Sequence, residues 1–232
     1  MKKTLRIFAL LTVLVLLAVN ASAATSKAIT NGGFEGDNVG NAYSNDGATV
    51  LEISKDMAAS GKSCLKVTNR SNEWGAVAFD VTEYMKNCGD GKYYCTFYVS
   101  GDFDGAVRAT LHTNHQSGAD VYRNIAVMTE FKTGKWSYVG ADANGKPLAI
   151  GAENWNIDYS EWDKEIVTDL NNATLYFWIE GNNNGTVYFD NMSFWGNNDI
   201  PEFAPNTSDS FAAIALLLAS VAAGAVVVCK KH

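Results

Sequence analysis

An all-β sandwich, built as a single domain, is the fold class predicted for this 232-residue chain, and three observations predict it. Short runs of alternating apolar and polar residues recur along the sequence, as they do in sandwiches and barrels. Turn residues separate them: Ser60-Gly61-Lys62, Gly89-Asp90-Gly91-Lys92, Gly101-Asp102 and Gly181-Asn182-Asn183-Asn184-Gly185. The composition is 47 % hydrophobic and 19 % charged, with 20 Gly and 3 Pro. It excludes a disordered or collagenous chain, and few charges with many Gly, Asn, Thr, Tyr and Trp argue against a helical bundle.

Nine strands are predicted in order, near Thr49–Ser54, Ser63–Asn69, Val77–Val81, Tyr93–Ser100, Val107–His115, Val121–Met128, Trp136–Asp142, Ala173–Glu180 and Thr186–Trp195. One irregular segment, Ala143–Leu170, holds Trp155, Tyr159 and Trp162. It is too long for an ordinary connection and reads either as a functional loop or as a small helical cover. No internal repeat appears, so residues 28–196 are predicted to form the one folded domain.

Both ends of the chain read as addresses. Residues 1–23 open Met-Lys-Lys, run apolar from Ile7 to Val19 and finish Ala21-Ser22-Ala23. This predicts a secretory signal cleaved after Ala23, with an uncleaved anchor as the alternative. Residues 197–210 form a stalk containing Pro205-Asn206-Thr207-Ser208, and residues 211–228 are uncharged and long enough to span a bilayer. Residues 229–232, Cys-Lys-Lys-His, then mark the cytoplasmic side. Pro-x-Thr, an apolar span and a basic tail resemble a sortase cell-wall sorting signal. Ala204 and Ser208 stand where that signal usually has Leu and Gly, and a plain C-terminal membrane anchor is the alternative. A glycolipid-anchor signal fits less well, since its tail is usually apolar to the end. Each version predicts an extracellular domain tethered to the cell wall or plasma membrane, with a sortase as one candidate partner.

The formal net charge is −7. Without residues 1–23 and 205–232, 13 basic residues face 24 acidic ones, a balance of −11. Such a surface repels phosphate backbones and argues against a nucleic-acid partner. Three exterior cysteines, Cys64, Cys88 and Cys95, cannot all pair within one chain. Cys88 and Cys95 either bridge across the Gly89-Asp90-Gly91 turn or stay as buried thiols. With no C-x-x-C pair, zinc and redox roles have no support.

Alternation makes the strand at Ala173–Glu180 informative. Leu175, Phe177 and Ile179 share a face that belongs to the core, which leaves Tyr176, Trp178 and Glu180 on the other. Val107, Ala109 and Leu111 likewise face in, with Arg108, Thr110 and His112 out. Val121, Ile125 and Val127 face in, with Tyr122 and Asn124 out. If these strands are neighbours, one outer face mixes rings, amides and charges. Rings cover the apolar C–H faces of a sugar, and the polar groups bond its hydroxyls. The alternative is a second core, with Ala143–Leu170 packed over Tyr176 and Trp178.

Several segments resemble one known family. Asn31-Gly32-Gly33-Phe34-Glu35-Gly36 is similar to the opening of family 4, 9 and 22 carbohydrate-binding modules. Ser60-Gly61-Lys62-Ser63-Cys64-Leu65-Lys66-Val67-Thr68 resembles their S-G-x-x-S-L-K-V-T strand. Asn69-Arg70-Ser71-Asn72-Glu73-Trp74-Gly75 resembles the arginine-to-tryptophan loop of family 22, and Val81-Thr82-Glu83-Tyr84-Met85 its following turn. Phe177-Trp178-Ile179-Glu180 is similar to the F-Y-V-E strand, and Tyr188-Phe189-Asp190-Asn191-Met192 to the closing strand. In this order the motifs cover about residues 28–196.

The resemblance implies a β-jelly roll that binds β-linked plant polysaccharide, xylan or mixed-linkage β-glucan, without cutting it. It places carbohydrate binding on Trp74, Tyr122, Trp178 and Glu180. An arginine expected near Asp46 is absent, and the acid there is expected to alter which sugar is preferred. The family's structural calcium carries over onto Glu35 and Asp190, with backbone carbonyls completing the shell.

Two other functions compete. A small jelly-roll glycoside hydrolase needs two carboxyls flanking the sugar. Glu180 is on the face in question, Glu52 and Glu130 are not placed there, and Glu153 and Glu161 fall in the long segment. His112 and His115 are three apart on a strand, so their rings point to opposite faces and do not pair on a metal. An adhesin that binds protein through the same exposed aromatics is the other alternative.

Overall fold

The computed structural model describes residues 28–88, 92–125, 128–149, 168–182 and 184–196. All of them lie in the compact unit Ser22–Pro201. The expected signal, stalk, span and basic tail lie outside the described residues, as do Val127, the Gly89-Asp90-Gly91 turn and residues 150–167 of the long segment. Among the described residues no helix is long and apolar enough to cross a membrane.

Eleven strands and one helix are described: β1 (Tyr43–Ser44), β2 (Val50–Ser54), β3 (Cys64–Thr68), β4 (Val77–Asp80), α1 (Thr82–Cys88), β5 (Tyr93–Gly101), β6 (Gly105–His115), β7 (Asp120–Asn124), β8 (Thr129–Phe131), β9 (Ser137–Val139), β10 (Leu170–Glu180) and β11 (Val187–Gly196). They form two antiparallel sheets. The first runs β1-β4-β10-β6-β7, with β8 also on β6; the second runs β2-β3-β11-β5-β9. Their inner faces meet in one core. Leu175, Phe177, Ile179, Val107, Ala109 and Leu111 come from the first sheet, and Leu65, Val67, Phe97, Val99, Val187 and Phe189 from the second. The Phe97 and Phe177 rings join the sheets edge-to-face at 4.8 Å between centroids, within the range where such pairs are favourable. This is the jelly-roll sandwich that the sequence predicts.

Where the elements differ from expectation, local chemistry gives the reason. The strand expected over Val121–Met128 ends at Asn124 as β7, and a further strand that the sequence does not predict, β8, begins at Thr129; both pair with β6. The strand expected over Trp136–Asp142 shortens to Ser137–Val139. Gly140 takes φ +82 and packs so closely that a Cβ there would meet the Cys95 carbonyl oxygen at 1.9 Å. Only glycine tolerates that combination, and it ends the strand. The turn expected at Val81–Met85 continues as the seven-residue helix α1. Asp80 Oδ1 accepts from the Thr82 amide at 2.9 Å, supplying a partner for a helix-terminal donor. The Thr82 hydroxyl docks the helix on β10, accepting from the Ala173 amide at 2.8 Å. No disulfide joins Cys88 to Cys95. Cys64 and Cys95 are buried thiols, and burial pushes the Cys64 thiol up to about 12.

β11 carries a bulge. Asp190 pairs with Tyr98 and Ser193 with Thr96, so two residues oppose one across the ladder. Asn191 within it has φ 48. The N-terminal Asn31-Gly32-Gly33-Phe34 segment is fastened here, the Met192 amide donating to the Gly32 carbonyl at 2.9 Å.

Candidate functional site: a cleft on the first sheet

Antiparallel register arranges the outer face of the first sheet in rows. Trp178 lies opposite Arg108, Tyr176 opposite Thr110, and Thr174 opposite His112. β7 extends the last two rows, with Asn124 beside Thr110 and Tyr122 beside His112. On the other side Ala78 faces both Tyr176 and Tyr43, so the middle row runs from Asn124 to Tyr43. Successive rows are about 7 Å apart, two residues along a strand. Over these rows lies a cleft of about 700 Å³. Its walls combine the aromatic residues Tyr43, Trp74, Tyr122, Tyr176 and Trp178 with the polar residues Asn45, Arg108, Thr110, His112, Asn124 and Thr174. No carboxylate is among these lining residues.

Trp74 reaches the cleft from a loop that is held rigidly. Asn69 has φ 55, and Arg70 turns inward at 2 % exposure. Its Nε donates to the Gly75 carbonyl at 3.1 Å, and Nη1 and Nη2 donate to the Asn182 and Ile179 carbonyls at 3.2 and 3.1 Å. Burial lowers the Arg70 guanidinium to about 10, with Asp46 and Glu73 opposing; it remains a cation at neutral pH. Glu73 ties the loop to β10 twice. Its carbonyl accepts from the Ile179 amide at 2.7 Å, and its carboxylate accepts from Trp178 Nε1 at 3.1 Å. Trp74 itself is 43 % exposed.

Trp178 is half-buried on the outer face, with the Arg108 guanidinium 5.1 Å from its ring centroid. Tyr122, 61 % exposed, stacks on His112 at 4.2 Å and 7° between planes. His112 Nε2 is 2.6 Å from Asp120 Oδ1, and this bond holds the Asp120 carboxyl below its ordinary value. Burial, with Tyr122 nearby, raises the Tyr176 phenol, keeping it a hydrogen-bond donor in the cleft floor.

Three of the four expected sugar-binding residues, Trp74, Tyr122 and Trp178, therefore line one cleft. Glu180 sits one position beyond the lining rows, ion-paired with Arg108. Neither of the two other carboxyls considered for hydrolysis lines the cleft, although Glu130 shares a row with Glu180 on the same face, each opposite Ala106. Glu52 is on β2 in the second sheet, 2.8 Å from Lys66, and Glu130 is on β8 beside Lys132. Glu153 and Glu161 lie outside the described residues. His115 is buried under the sheet, away from His112.

Asp46, where the resemblance expects an arginine, lies in the turn before β2. Its carboxylate accepts from the Ala48 and Thr49 amides at 3.0 and 2.8 Å and from the Ser44 and Thr49 hydroxyls at 3.0 and 3.1 Å. Burial opposes ionisation, but the Thr49, Ser44 and Ala48 bonds outweigh it and the carboxyl is lowered. Asp46 shapes the turn and is not a lining residue. Its neighbours Tyr43 and Asn45 are, and sequence reasoning missed both. Asn45 also bridges to the Trp74 loop, donating to the Trp74 carbonyl at 2.6 Å and accepting from the Ala76 amide at 2.9 Å.

Glu35 and Asp190 come together at the 59–63 turn. Asp190, fully buried, accepts from the Ala59 and Ser60 amides at 2.8 and 3.0 Å and from the Asn191 amide at 2.7 Å. Glu35 Oε1 accepts from the Lys62 amide at 2.8 Å and packs so tightly on Gly61 that a Cβ there would lie 1.9 Å away. Burial pushes Asp190 up to about 6; the backbone bonds oppose this and the charge of Glu35 adds to it. Two neighbouring carboxylates beside the Ser60 and Ser63 hydroxyls are hard, anionic oxygen donors of the kind calcium takes. Among the described residues no cluster of three or more His, Cys, Asp or Glu forms, so carbonyl oxygens would have to complete the shell.

A jelly-roll sandwich with an aromatic and polar cleft on one sheet defines a class of sugar-binding modules. Residues 26–142 match the family described as a carbohydrate binding domain, families 4 and 9, and the chain belongs to that family. Among solved structures, the C-terminal family 22 carbohydrate-binding module of Clostridium thermocellum Xyn10B is similar at TM-score 0.56 and 17 % identity, over 78 % of this chain and 99 % of that one. The first family 22 xylan-binding domain of Paenibacillus barcinonensis Xyn10C gives TM-score 0.55 and 13 % identity, over 75 % and 97 %. At such identities the likeness establishes the fold. No curated protein matches the chain.

Proposed function

We propose that the chain is a non-catalytic cell-surface protein that binds β-linked plant polysaccharide, xylan or mixed-linkage β-glucan, in the cleft of the first sheet. The observation that carries this reading is the set of rings from four separate segments, Tyr43, Trp74, Tyr122 and Trp178, converging on one hollow with amide and hydroxyl groups between them. Rings stack on the C–H faces of a glycan, and Asn45, Thr110, Asn124 and Thr174 exchange hydrogen bonds with its hydroxyls. Glu180 acts from behind by holding Arg108. Among the described residues the lining holds no carboxylate, which favours retention of the polymer over hydrolysis. Titration calorimetry of residues 22–201 against xylan, β-glucan, cellulose and mannan tests the reading. Binding to xylan or β-glucan without release of reducing ends is the expected result; capture of a protein with no glycan binding would favour an adhesin instead.

In the same proposal, residues 1–23 direct secretion and the C-terminal segment holds the domain at the cell surface. A sortase would act between Thr207 and Ser208, and a plain membrane span at 211–228 would serve otherwise. Glu35 and Asp190 hold a structural calcium that clips the N-terminal segment to β11 and relieves the repulsion between the two carboxylates.

A further inference from the structure

We infer that Arg108 sets the ligand class of the cleft: a β-glycan carrying carboxylates, such as uronic-acid side groups, docks an acid on this guanidinium. The inference rests on the cleft reading above and adds a charge requirement to it.

Two observations carry it. The first is the charge of the lining. Among the described residues its only cationic or potentially cationic members are Arg108 and His112, and none is acidic. The acids beside the cleft each have a partner. Glu73 accepts from Trp178 Nε1, Asp120 bonds His112, and Glu180 pairs with Arg108. The second is the donor inventory of Arg108. A guanidinium has five N–H donors. Among the described residues Glu180 accepts from Nη2, and Nε is buried without a partner. No acceptor among the described residues is engaged with Nη1.

The side chain is also held in place. Trp178 lies under the guanidinium at 5.1 Å and Glu180 fixes one edge, so little freedom remains to be lost on binding. Nε is too buried to reach a ligand, and a neutral sugar hydroxyl would use the remaining Nη1 and Nη2 hydrogens weakly. A carboxylate accepts two parallel N–H bonds, and such charge-assisted bonds are about twice as strong as neutral ones.

The test is calorimetric titration of residues 22–201, the unit that contains the whole core. The probes are soluble glucuronoxylan and the same polymer after reduction of its carboxyl groups. The wild type should bind the acidic polymer about 5- to 10-fold more tightly at low ionic strength, and the gap should close in about 1 M salt. Arg108→Gln should lose the preference and bind the two polymers alike. Arg108→Lys, which keeps the charge but loses the fork, should retain only part of the gap. Equal wild-type affinity for the two polymers would overturn the inference and leave the cleft reading standing. Failure to bind either would overturn both. The wild-type comparison needs no variant to fold.

Discussion

The outer faces of the two sheets both carry aromatic residues at alternating positions, but those of the first line a cleft while those of the second pack on one another. On the second sheet Tyr94 stacks on Trp195 at 5.6 Å and 11°, and Tyr98 on Tyr138 at 4.6 Å and 28°. These are cross-strand neighbours, paired in register, and each ring uses a face against its partner. Trp195 is left 2 % exposed, and burial raises the Tyr138 phenol. On the first sheet the rings stand apart. Trp178 meets a guanidinium, Tyr122 meets an imidazole, and Trp74 and Tyr43 come from outside the central strands. An outer-face aromatic therefore signals binding when its partner is polar, and sheet stabilisation when its partner is another ring.

The largest expected effect separates the faces by stability. Trp195→Ala should cost about 3–5 kcal/mol, as removal of a buried indole does, while the folded fraction keeps wild-type glycan affinity. Denaturant unfolding and titration together check this; lost affinity in the folded fraction would join the two faces functionally.

Calcium comes next, acting at the β11 bulge of the second sheet. Calcium at a hundredfold excess over its dissociation constant should stabilise by about 2.7 kcal/mol, and Asp190→Asn should abolish the response. Well below the melting temperature, chelator should leave glycan affinity unchanged. Melting curves with calcium and with chelator decide, and identical curves would remove the ion.

A smaller effect concerns the turn behind the cleft. Asp46 has a lowered carboxyl, so it contributes stability above the unfolded carboxylate value near 3.8, and this is lost as pH falls through the folded value. Asp46→Ala should cost about 1–2 kcal/mol at pH 7, and the gap from wild type should narrow steadily below about pH 4. A gap independent of pH would show that ionised Asp46 does not hold the turn.

The sequence made the strand faces legible wherever alternation ran unbroken. On β10 and β6 the split of Leu175, Phe177 and Ile179 from Tyr176 and Trp178, and of Val107, Ala109 and Leu111 from Arg108 and His112, follows from the two-residue period alone. Three features escaped for physical reasons. β1 has two residues, too few to show a period, so Tyr43 and Asn45 gave no signal. The bulge in β11 breaks the alternation at Asp190, and only the resemblance to known modules pointed to that carboxylate. Partner choice was hidden as well. Glu180 read as a free acid on the sheet face until register placed Arg108 beside it, and Asp46 read as a cleft acid although neighbouring Ser and Thr hydroxyls and turn amides engage it.

Trp178→Ala, examined by xylan titration and by denaturation, tests the central claim most directly. The ring lines the cleft and is half-buried, held by Glu73 and covered by Arg108. Burying about 60–100 Å² of indole against a sugar contributes roughly 1.5–2.5 kcal/mol, or about 10- to 70-fold in affinity. The account predicts that loss of binding with a stability change of no more than about 2 kcal/mol, the scale of one hydrogen bond and one cation–π contact. Wild-type affinity in a stably folded Trp178→Ala protein would contradict it.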